Sequence, residues 1–186
     1  NEGGSDMALR KVLLEGDSSL RKKSREVTDF DQRTQELIDD MFDTMRAEDG
    51  IGLAAPQVGV LKRIFVMDAV EDNEATAFIN PVLLDEKGEQ TGAEGCLSLP
   101  GLYGIVSRPE EIRVRAQDIT GKEFERTYSG LEARCVCHEI DHLYGILYRD
   151  RATGGLHKLD AEEDEDGSRE DSGKKEPAAK RVDANA

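Results

Sequence analysis

The amino-acid sequence predicts an α+β fold, with mostly antiparallel β-sheets packed around a central helix and an N-terminal helix as scaffold. Two segments have apolar residues at helical spacing, which predicts two helices. Short runs rich in β-branched and aromatic residues predict strands elsewhere in the chain. The order helix, strands, helix is typical of an α+β domain.

The first helix is predicted from Asp31 to Glu48. Its apolar residues recur at helical spacing and are Leu37, Ile38, Met41, Phe42 and Met45. Asp29 or Asp31 can cap the start of this helix, and Gly50 can end it. We expect this helix to be core scaffold.

Four strands are predicted after the first helix, over residues 63–69, 77–84, 111–118 and 123–129. The sequence DITG (118–121) is typical of a hairpin turn that joins the last two strands. The segment GIGLAAPQVG (50–59) is interpreted as a tight turn, because it is made mostly of small residues and contains Pro56.

The second helix is predicted from about Leu131 to Tyr144. Ser129 and Glu132 form an S-x-x-E pattern that predicts a capping box, and Gly145 is suited to end the helix. Residues at spacings of 4, 3 and 4 share one face of this helix: Leu131, Cys135, His138 and His142.

The two ends of the chain differ in composition from its middle. Residues 1–6 have no pattern, and we interpret them as a remnant ahead of a native start at Met7, with a processed leader as the alternative. Residues 7–159 are expected to form one folded domain. Residues 160–186 are rich in charge and lack periodicity, which predicts a disordered acidic tail.

Charge and cysteine content exclude several classes of protein. A net charge of −15 argues against sequence-independent nucleic-acid binding and against docking on anionic membranes. No run approaches the ~20 apolar residues of a membrane span. The three cysteines are not a disulfide framework, which favours a reducing, cytoplasmic setting. An organelle remains the alternative if a transit peptide has been removed.

The sequence CHEIDHLYG (137–145) contains the H-E-x-x-H pattern. On a helix, His138 and His142 lie one turn apart, so both imidazoles can reach one ion. Glu139 is placed to take a proton from a water molecule that a metal activates, since a metal lowers the pKa of such water toward ~7. The alternative is a pair of surface histidines on a polar helix.

The residues after the helix do not supply a third ligand. One zinc-protease pattern continues to a third histidine, but Tyr148 stands at that position although Gly145 matches. Another class uses a downstream glutamate, and here such residues begin only at Glu162, in the charged tail. The missing ligand is therefore expected upstream.

Cys96, in EGCLSLP (94–100), is the best upstream candidate, because a thiolate is a strong soft ligand. A lone cysteine is also a common small packing residue. Cys135 and Cys137 are rivals on the second helix, and we interpret both as packing residues, with Cys135 near the site and Cys137 pointing away.

Gln57 is a polar amide amid the small residues of the 50–59 segment. Burial of such a group is unfavourable unless it is paired. Its N–H could stabilise charge that develops on a carbonyl oxygen, or the residue could simply hold the turn. The glycines of the segment are not a phosphate loop, because no Lys-Ser/Thr follows them.

Three short motifs in this order and spacing resemble the peptide deformylase family: GIGLAAPQ (50–57), EGCLSLP (94–100) and HEIDH (138–142). Residues 8–27 are similar too, although Ser18 stands where that family often has proline, and the resemblance covers about residues 7–155. It implies an α+β metalloenzyme that removes the formyl group from the N-terminal methionine of new proteins and releases formate.

The resemblance also implies a role for each matching residue. Cys96, His138 and His142 would be the metal ligands. Glu139 would be the catalytic acid and base, and Gln57 with the backbone N–H of Leu97 would polarise the formyl oxygen. The cleft and the pocket for the methionine side chain would be bordered by Ile51, Gly52, Gly95, Leu131 and Cys135.

The ion and the partners follow from the same resemblance. The family's usual ion is Fe²⁺, and Zn²⁺, Ni²⁺ or Co²⁺ can take its place, whereas Cys-His-His ligation by itself reads equally as zinc. The expected partners are N-formyl-methionyl peptides of nascent proteins, with ribosome association as an extension. We expect a monomer that binds neither nucleic acid nor membranes.

The sequence also departs from the family pattern at two further positions. Cys137 replaces a common glutamine, and Tyr103 replaces an arginine found in some members. A supporting ion pair between Arg108 and Glu94 is also expected. Two other functions stay open: a zinc endopeptidase, which would need a longer groove and another third ligand, and a metal-loaded peptide-binding protein without activity.

Overall fold

The computed structural model describes residues 8–68 and 75–159 of the chain. Within them lie two α-helices and eight strands. The helices are α1 (Gln32–Ala47) and α2 (Gly130–Leu143). The strands are β1 (Gly52–Ala54), β2 (Ile64–Met67), β3 (Thr76–Lys87), β4 (Gln90–Cys96), β5 (Leu99–Arg108), β6 (Glu111–Gln117), β7 (Glu123–Ser129) and β8 (Thr153–Lys158). Short 3₁₀ helices span Ser18–Arg21, Ala55–Val58 and Tyr148–Asp150.

The strands form two antiparallel sheets, which confirms the predicted α+β fold. One sheet has five strands in the order β1-β2-β3-β6-β7, and the other has three in the order β4-β5-β8. Helix α2 contacts β1, β2, β6 and β7 of the first sheet and β5 of the second. Every residue from 133 to 143 is buried, so α2 is the central helix of the fold. The proposed remnant at 1–6 and the proposed tail at 160–186 lie outside the described residues.

Helix α1 has the scaffold role predicted for it. The Asp31 carboxylate accepts the Thr34 N–H at 3.0 Å, which caps the first turn. The buried face of the helix packs against β1 and β2. At the other end Asp49 takes the left-handed conformation (φ 54), and the Gly50 N–H donates to the Met45 carbonyl. The left-handed residue is thus Asp49, and Gly50 closes the last turn.

Two local predictions are wrong. The 50–59 segment is not only a tight turn, because it contains β1 and a 3₁₀ helix that starts with Pro56 in its first turn. The capping box does not form: Ser129 is the N-cap residue of α2, but its side chain makes no capping hydrogen bond. The Gly130 N–H instead donates to the Glu110 carbonyl at 2.9 Å, which ties the start of α2 to the loop before β6.

The three-stranded sheet was not predicted, because glycines interrupt the alternating pattern of β4 and β5. Gly104 shows why one of them is there: a Cβ at this position would lie 2.8 Å from the Ala152 Cβ and 3.0 Å from Leu156 Cδ2. Residues close in space but distant in sequence therefore select glycine. The four predicted strands correspond to β2, β3, β6 and β7, and the hairpin turn at 118–121 is confirmed by the Gly121 N–H bond to the Asp118 carbonyl.

Neither helix of the described ranges combines the length and the hydropathy that crossing a bilayer demands. The apolar core has three parts, which lie between α2 and the five-stranded sheet, between α1 and β1–β3, and around the three-stranded sheet. Cys96 belongs to the third part, whereas α2 carries the histidines. The site therefore forms where the two sheets meet the central helix.

Substitution of Gly145 by alanine tests the end of α2. Gly145 has φ +74, and a Cβ there would lie 2.5 Å from the Arg21 carbonyl oxygen. We expect a loss of unfolding free energy well above the roughly 1–2 kcal/mol of the left-handed conformation alone. Gly101→Ala is the matched control, since Gly101 has φ +73 and no atom within 4 Å of its Cβ position. Equal losses for the two variants in urea unfolding would contradict the predicted clash.

Candidate metal centre and active site

Three buried donor atoms converge at the centre of the fold. His138 and His142 lie one turn apart on α2, and their Nε2 atoms are 3.1 Å apart. The Cys96 Sγ, at the end of β4, lies 3.4 Å from the His142 Nε2. All three donors lie within 4.8 Å of one another, and each residue is at most 2% exposed.

This geometry fits a bound metal ion. Ligand bonds of about 2.0–2.3 Å in a tetrahedral site place donor atoms roughly 3.3–3.8 Å apart. The His142 Nε2 lies at similar distances from the other two donors, 3.1 Å from the His138 Nε2 and 3.4 Å from the Cys96 Sγ. Burial lowers the pKa of His142 well below its usual value, so the imidazole is neutral as a ligand must be. Burial raises the pKa of the Cys96 thiol, and a cation at the site would favour the thiolate.

A turn between β4 and β5 delivers Cys96 to the histidines. Cys96 pairs with Leu99 across this turn, and the register of the ladder shifts between Glu94 and Cys96. The other cysteines lie elsewhere: the Cys135 Sγ is 3.9 Å from the Ile51 carbonyl oxygen, and Cys137 packs in the core between α2 and the five-stranded sheet. Of the three cysteines, only Cys96 joins the cluster with the histidines.

A buried ion pair stands behind His138. The Glu94 Oε1 lies 3.5 Å from the His138 Nδ1, too long for a strong hydrogen bond but close enough for electrostatic orientation of the ring. Arg108 pairs with Glu94 at 3.0 Å, as the family resemblance implies. Burial opposes ionisation of Glu94, but His138 and Arg108 outweigh it and lower the pKa to about 2.

The rest of this charge network was not predicted from the sequence. Asp141, on α2, accepts hydrogen bonds from Arg108 at 2.6 Å and from Arg151 at 2.6 Å and 2.9 Å. Arg134 is buried as well and donates to the Val106 carbonyl. One sequence signal was available: Asp141 is a charged residue within the H-E-x-x-H motif. If that helix is buried, such a charge needs a partner. Its partners come from distant segments and have no local pattern.

Glu139 is completely buried beside the cluster of three donor atoms. Neither carboxylate oxygen has a hydrogen-bond partner among residues 8–68 and 75–159. Burial, reinforced by the negative charge of Glu94, raises the pKa of Glu139 well above that of an ordinary carboxyl group. Strand β1 passes close by: a Cβ on Gly52 would lie 2.8 Å from the Glu139 Oε1, so only glycine fits here without displacement. A carboxyl group so placed suits proton transfer.

Gln57 lies beside the donor cluster and is completely buried. Its Oε1 accepts the Ala54 N–H at 2.9 Å, which fixes the orientation of the amide. Its Nε2 donates to the Ser98 Oγ at 3.1 Å and lies 3.5 Å from the Cys96 Sγ. The amide N–H₂ is therefore directed toward the metal-ligand side, which the sequence could not establish.

Most of the residues expected to border the cleft lie together. The Cys135 Sγ lies 3.9 Å from the Ile51 carbonyl oxygen. It also lies close to Gly52, since a Cβ added there would be only 2.9 Å from it. Gly95 is buried next to Cys96, in β4. Leu131 differs: it is 38% exposed, at the start of α2, and it is absent from the core around Cys135. The structure does not bring it into the group.

Tyr148 occupies the position at which a zinc-protease pattern would have its third histidine. Its ring is buried and stacks on His138 with the centroids 6.1 Å apart. Burial raises the pKa of its hydroxyl to about 12, so the residue is neutral and packs against a ligand without competing for the metal. The position that has a third histidine in the zinc-protease pattern is thus occupied here by an aromatic ring that packs against His138.

An α+β fold with a Cys-His-His cluster, and with a glutamate next to the first histidine, defines a metal-dependent hydrolase. The polypeptide deformylase family is matched over residues 9–157. The chain belongs to this family, whose members are metal-dependent and remove N-formyl groups from nascent peptides.

Individual relatives agree with this assignment. The chain is 50% identical over 161 residues to a peptide deformylase of Lachnoclostridium phytofermentans, covering 86% of this chain and 99% of that protein. It is 53% identical over 145 residues to one of Caldicellulosiruptor bescii, covering 78% and 86%. The crystal structure of a peptide deformylase from Legionella pneumophila has a TM-score of 0.76 at 47% identity, covering 79% and 88%.

A solved structure of a complex is also similar to this chain. The peptide deformylase of Ehrlichia chaffeensis in complex with actinonin has a TM-score of 0.77 at 38% identity, covering 80% of this chain and 91% of that one. The similarity therefore includes most of the described residues.

Cysteine replacement tests the proposed ligand set. We expect Cys96→Ala to lose metal affinity and activity together, because it removes one of three converging donors. Cys135→Ala and Cys137→Ala are the matched controls and should retain the metal, since neither joins the cluster. Metal content per chain, by mass spectrometry of the purified variants, decides the outcome. A Cys96→Ala protein that keeps one ion per chain and normal turnover would rule out this ligand.

Proposed function

We propose that the chain hydrolyses the N-formyl group of formyl-methionyl peptides at the site formed by Cys96, His138, His142, Glu139 and Gln57. The observation that carries the proposal is the position of Glu139. Its buried carboxylate adjoins His138 and has no hydrogen-bond partner in the described ranges. A general acid and base is needed at that place when water attacks an amide.

The metal ligands in this proposal are Cys96, His138 and His142. A divalent ion held by them would act as a Lewis acid and lower the pKa of water toward about 7. Glu94 would orient the His138 ring, with Arg108 fixing the carboxylate in turn.

Glu139 would move the proton that the reaction requires. It takes a proton from the attacking water, whose oxygen adds to the formyl carbon. As the C–N bond breaks, the proton passes to the leaving nitrogen, and formate and a free N-terminal amine are released. Burial raises the pKa of Glu139, which favours the second step because the carboxyl group then holds the proton more strongly until the nitrogen leaves.

Gln57 and the backbone N–H of Leu97 would stabilise the negative charge on the formyl oxygen. Gln57 is suited to this role because Ala54 fixes its carbonyl oxygen, which leaves the Nε2 directed toward Cys96 and Ser98. Leu97 lies in the turn just after Cys96. Such donors contribute most when charge develops in the transition state.

Peptide binding is proposed on the side of α2 that faces β1. Ile51, Gly52 and Cys135 would border the methionine pocket, and Gly95 would let the substrate backbone pass close to Cys96. Leu131 was predicted as part of this pocket. Since it is 38% exposed, we propose it only at the outer rim.

The remaining attributes follow the family resemblance. We propose Fe²⁺ as the native ion, with Zn²⁺, Ni²⁺ or Co²⁺ able to substitute. The proposed substrates are nascent formylated proteins. Co-sedimentation with ribosomes tests whether the protein also associates with the ribosome. We also propose a monomer in the cytoplasm. Residues 7–159 would be the catalytic domain, and 160–186 a dispensable tail.

Formate release from formyl-Met-Ala-Ser tests the function. We expect Glu139→Gln to keep the metal and to lose on the order of 10²-fold or more in kcat, because the amide cannot accept a proton. Glu89→Gln, at an exposed position, is the control and should behave as wild type. Retention of more than about a tenth of kcat in Glu139→Gln would remove the general-base role. Cleavage of unformylated peptides at internal bonds would indicate an endopeptidase instead.

Oxygen sensitivity tests the choice of ion. We expect iron-loaded protein prepared without oxygen to lose activity in air, because Fe²⁺ and a thiolate can both be oxidised. Nickel-loaded protein should decay more slowly, since Ni²⁺ resists oxidation and binds N and S ligands more strongly. Metal content and the mass of the Cys96 peptide report the loss of ion or ligand independently of activity. Iron-loaded protein that is stable in air would contradict the prediction.

A further inference from the structure

A segment near the N-terminus bridges the two parts of the chain that carry the proposed oxyanion donors. We name residues 10–15 the N-terminal strap. The Leu13 N–H donates to the Gln57 carbonyl at 2.7 Å, and the Glu15 N–H donates to the Ser98 carbonyl at 2.8 Å. Alternate amides of one short segment thus hold two residues that are 41 positions apart in sequence.

The same two residues are also joined on the side of the metal ligands. The Gln57 Nε2 donates to the Ser98 Oγ at 3.1 Å, next to the Cys96 Sγ. Gln57 and Ser98 are therefore held together by their side chains on one side and by the strap on the other. Leu97, whose backbone N–H is the second proposed donor, directly precedes Ser98.

The sheets do not provide this connection. Gln57 belongs to the 3₁₀ helix that follows β1, at the edge of the five-stranded sheet. Leu97 and Ser98 join β4 to β5 in the three-stranded sheet. No ladder between described strands runs from one sheet to the other. Two donors that must meet one oxygen need to be held within about 0.5 Å, so a separate link between their segments matters.

The strap is itself fixed at both ends. The Arg10 N–H donates to the Oγ1 of the buried Thr44 at 2.9 Å, and the Arg10 side chain pairs with Asp40 at 3.0 Å on α1. At its other end Glu15 pairs with Arg149, in the 3₁₀ helix after α2. Because both ends are anchored, the strap can transmit a defined spacing to Gln57 and Ser98.

We propose that the N-terminal strap is a positioning element for deformylation. Its Leu13 and Glu15 amides set the separation between the Gln57 side-chain amide and the Leu97 backbone N–H. The strap acts through two carbonyl groups and is not itself catalytic. The inference rests on the proposed function, since it takes these two groups as the donors to the formyl oxygen.

Single amide-to-ester replacements test the strap without altering its side chains. An ester at Leu13 or at Glu15, introduced with the corresponding α-hydroxy acid, removes one N–H donor. We expect kcat to fall about tenfold, less than the 10²–10³-fold effect of removing a whole oxyanion donor. KM and metal content should not change.

An ester at Leu14 is the matched control. Leu14 lies between the two donors, its side chain is 53% exposed, and its N–H makes no hydrogen bond to any described residue. This variant should keep the wild-type kcat. An equal fall in kcat for the Leu14 ester, or a fall in melting temperature for the Leu13 ester with unchanged kcat, would overturn the proposal.

Coupling to Gln57 separates this inference from the proposed function. In a Gln57→Leu background, the Leu13 ester should lower kcat by less than about twofold, because effects on one interacting unit are not additive. If Gln57→Leu lowers kcat and the ester effect remains tenfold in that background, the strap proposal alone fails. If Gln57→Leu leaves kcat unchanged, the proposed oxyanion role fails and the strap proposal fails with it.

Discussion

The structure depends on the burial of a polar helix. Helix α2 is covered on all sides, yet it carries His138, Glu139, Asp141 and His142 in its second half, all of them buried. Buried charges are unfavourable unless they are paired or bind an ion. The fold meets this constraint by placing a partner from another element against most of these groups. Glu139 is the exception, with no partner in the described ranges.

The partners come from the three-stranded sheet more than from the helix itself. Strand β4 contributes Glu94 and Cys96, and β5 contributes Arg108. Arg108 pairs with both Glu94 and Asp141, so one guanidinium joins the sheet to the central helix. Removal of one partner from a buried ion pair leaves an uncompensated charge, so this junction resists separation. We therefore expect it to keep β4 and β5 in place against α2.

The five-stranded sheet contributes close packing at the same place. Gly52 of β1 approaches Glu139 and Cys135 so closely that any side chain there would meet them. The 3₁₀ helix that follows β1 then places Gln57 beside Cys96. The backbone of β1 therefore packs against Glu139, the proposed acid and base. The backbone N–H of Ala54 orients Gln57, the proposed oxyanion donor. Function in this proposal depends on how two sheets and an N-terminal segment meet around one helix.

The sequence by itself determined the two helices, four of the strands, and which kinds of side chain the site contains: histidine, cysteine, glutamate and glutamine. Helical periodicity marks α1 because this helix buries one apolar stripe. Helix α2 is marked by signals at its ends and by the helical spacing of Leu131, Cys135, His138 and His142. The H-E-x-x-H spacing also predicts that His138 and His142 can reach one ion, since helix geometry alone sets that distance.

Only the tertiary structure decided which other residues complete the site. Cys96 meets the histidines, whereas Cys135 and Cys137 do not, and this depends on the turn between β4 and β5. The strands of the smaller sheet escaped prediction because their glycines are selected by neighbours such as Ala152, far away in sequence. Local patterns record what a segment buries along its own length. They do not record which distant backbone or charge will lie against it.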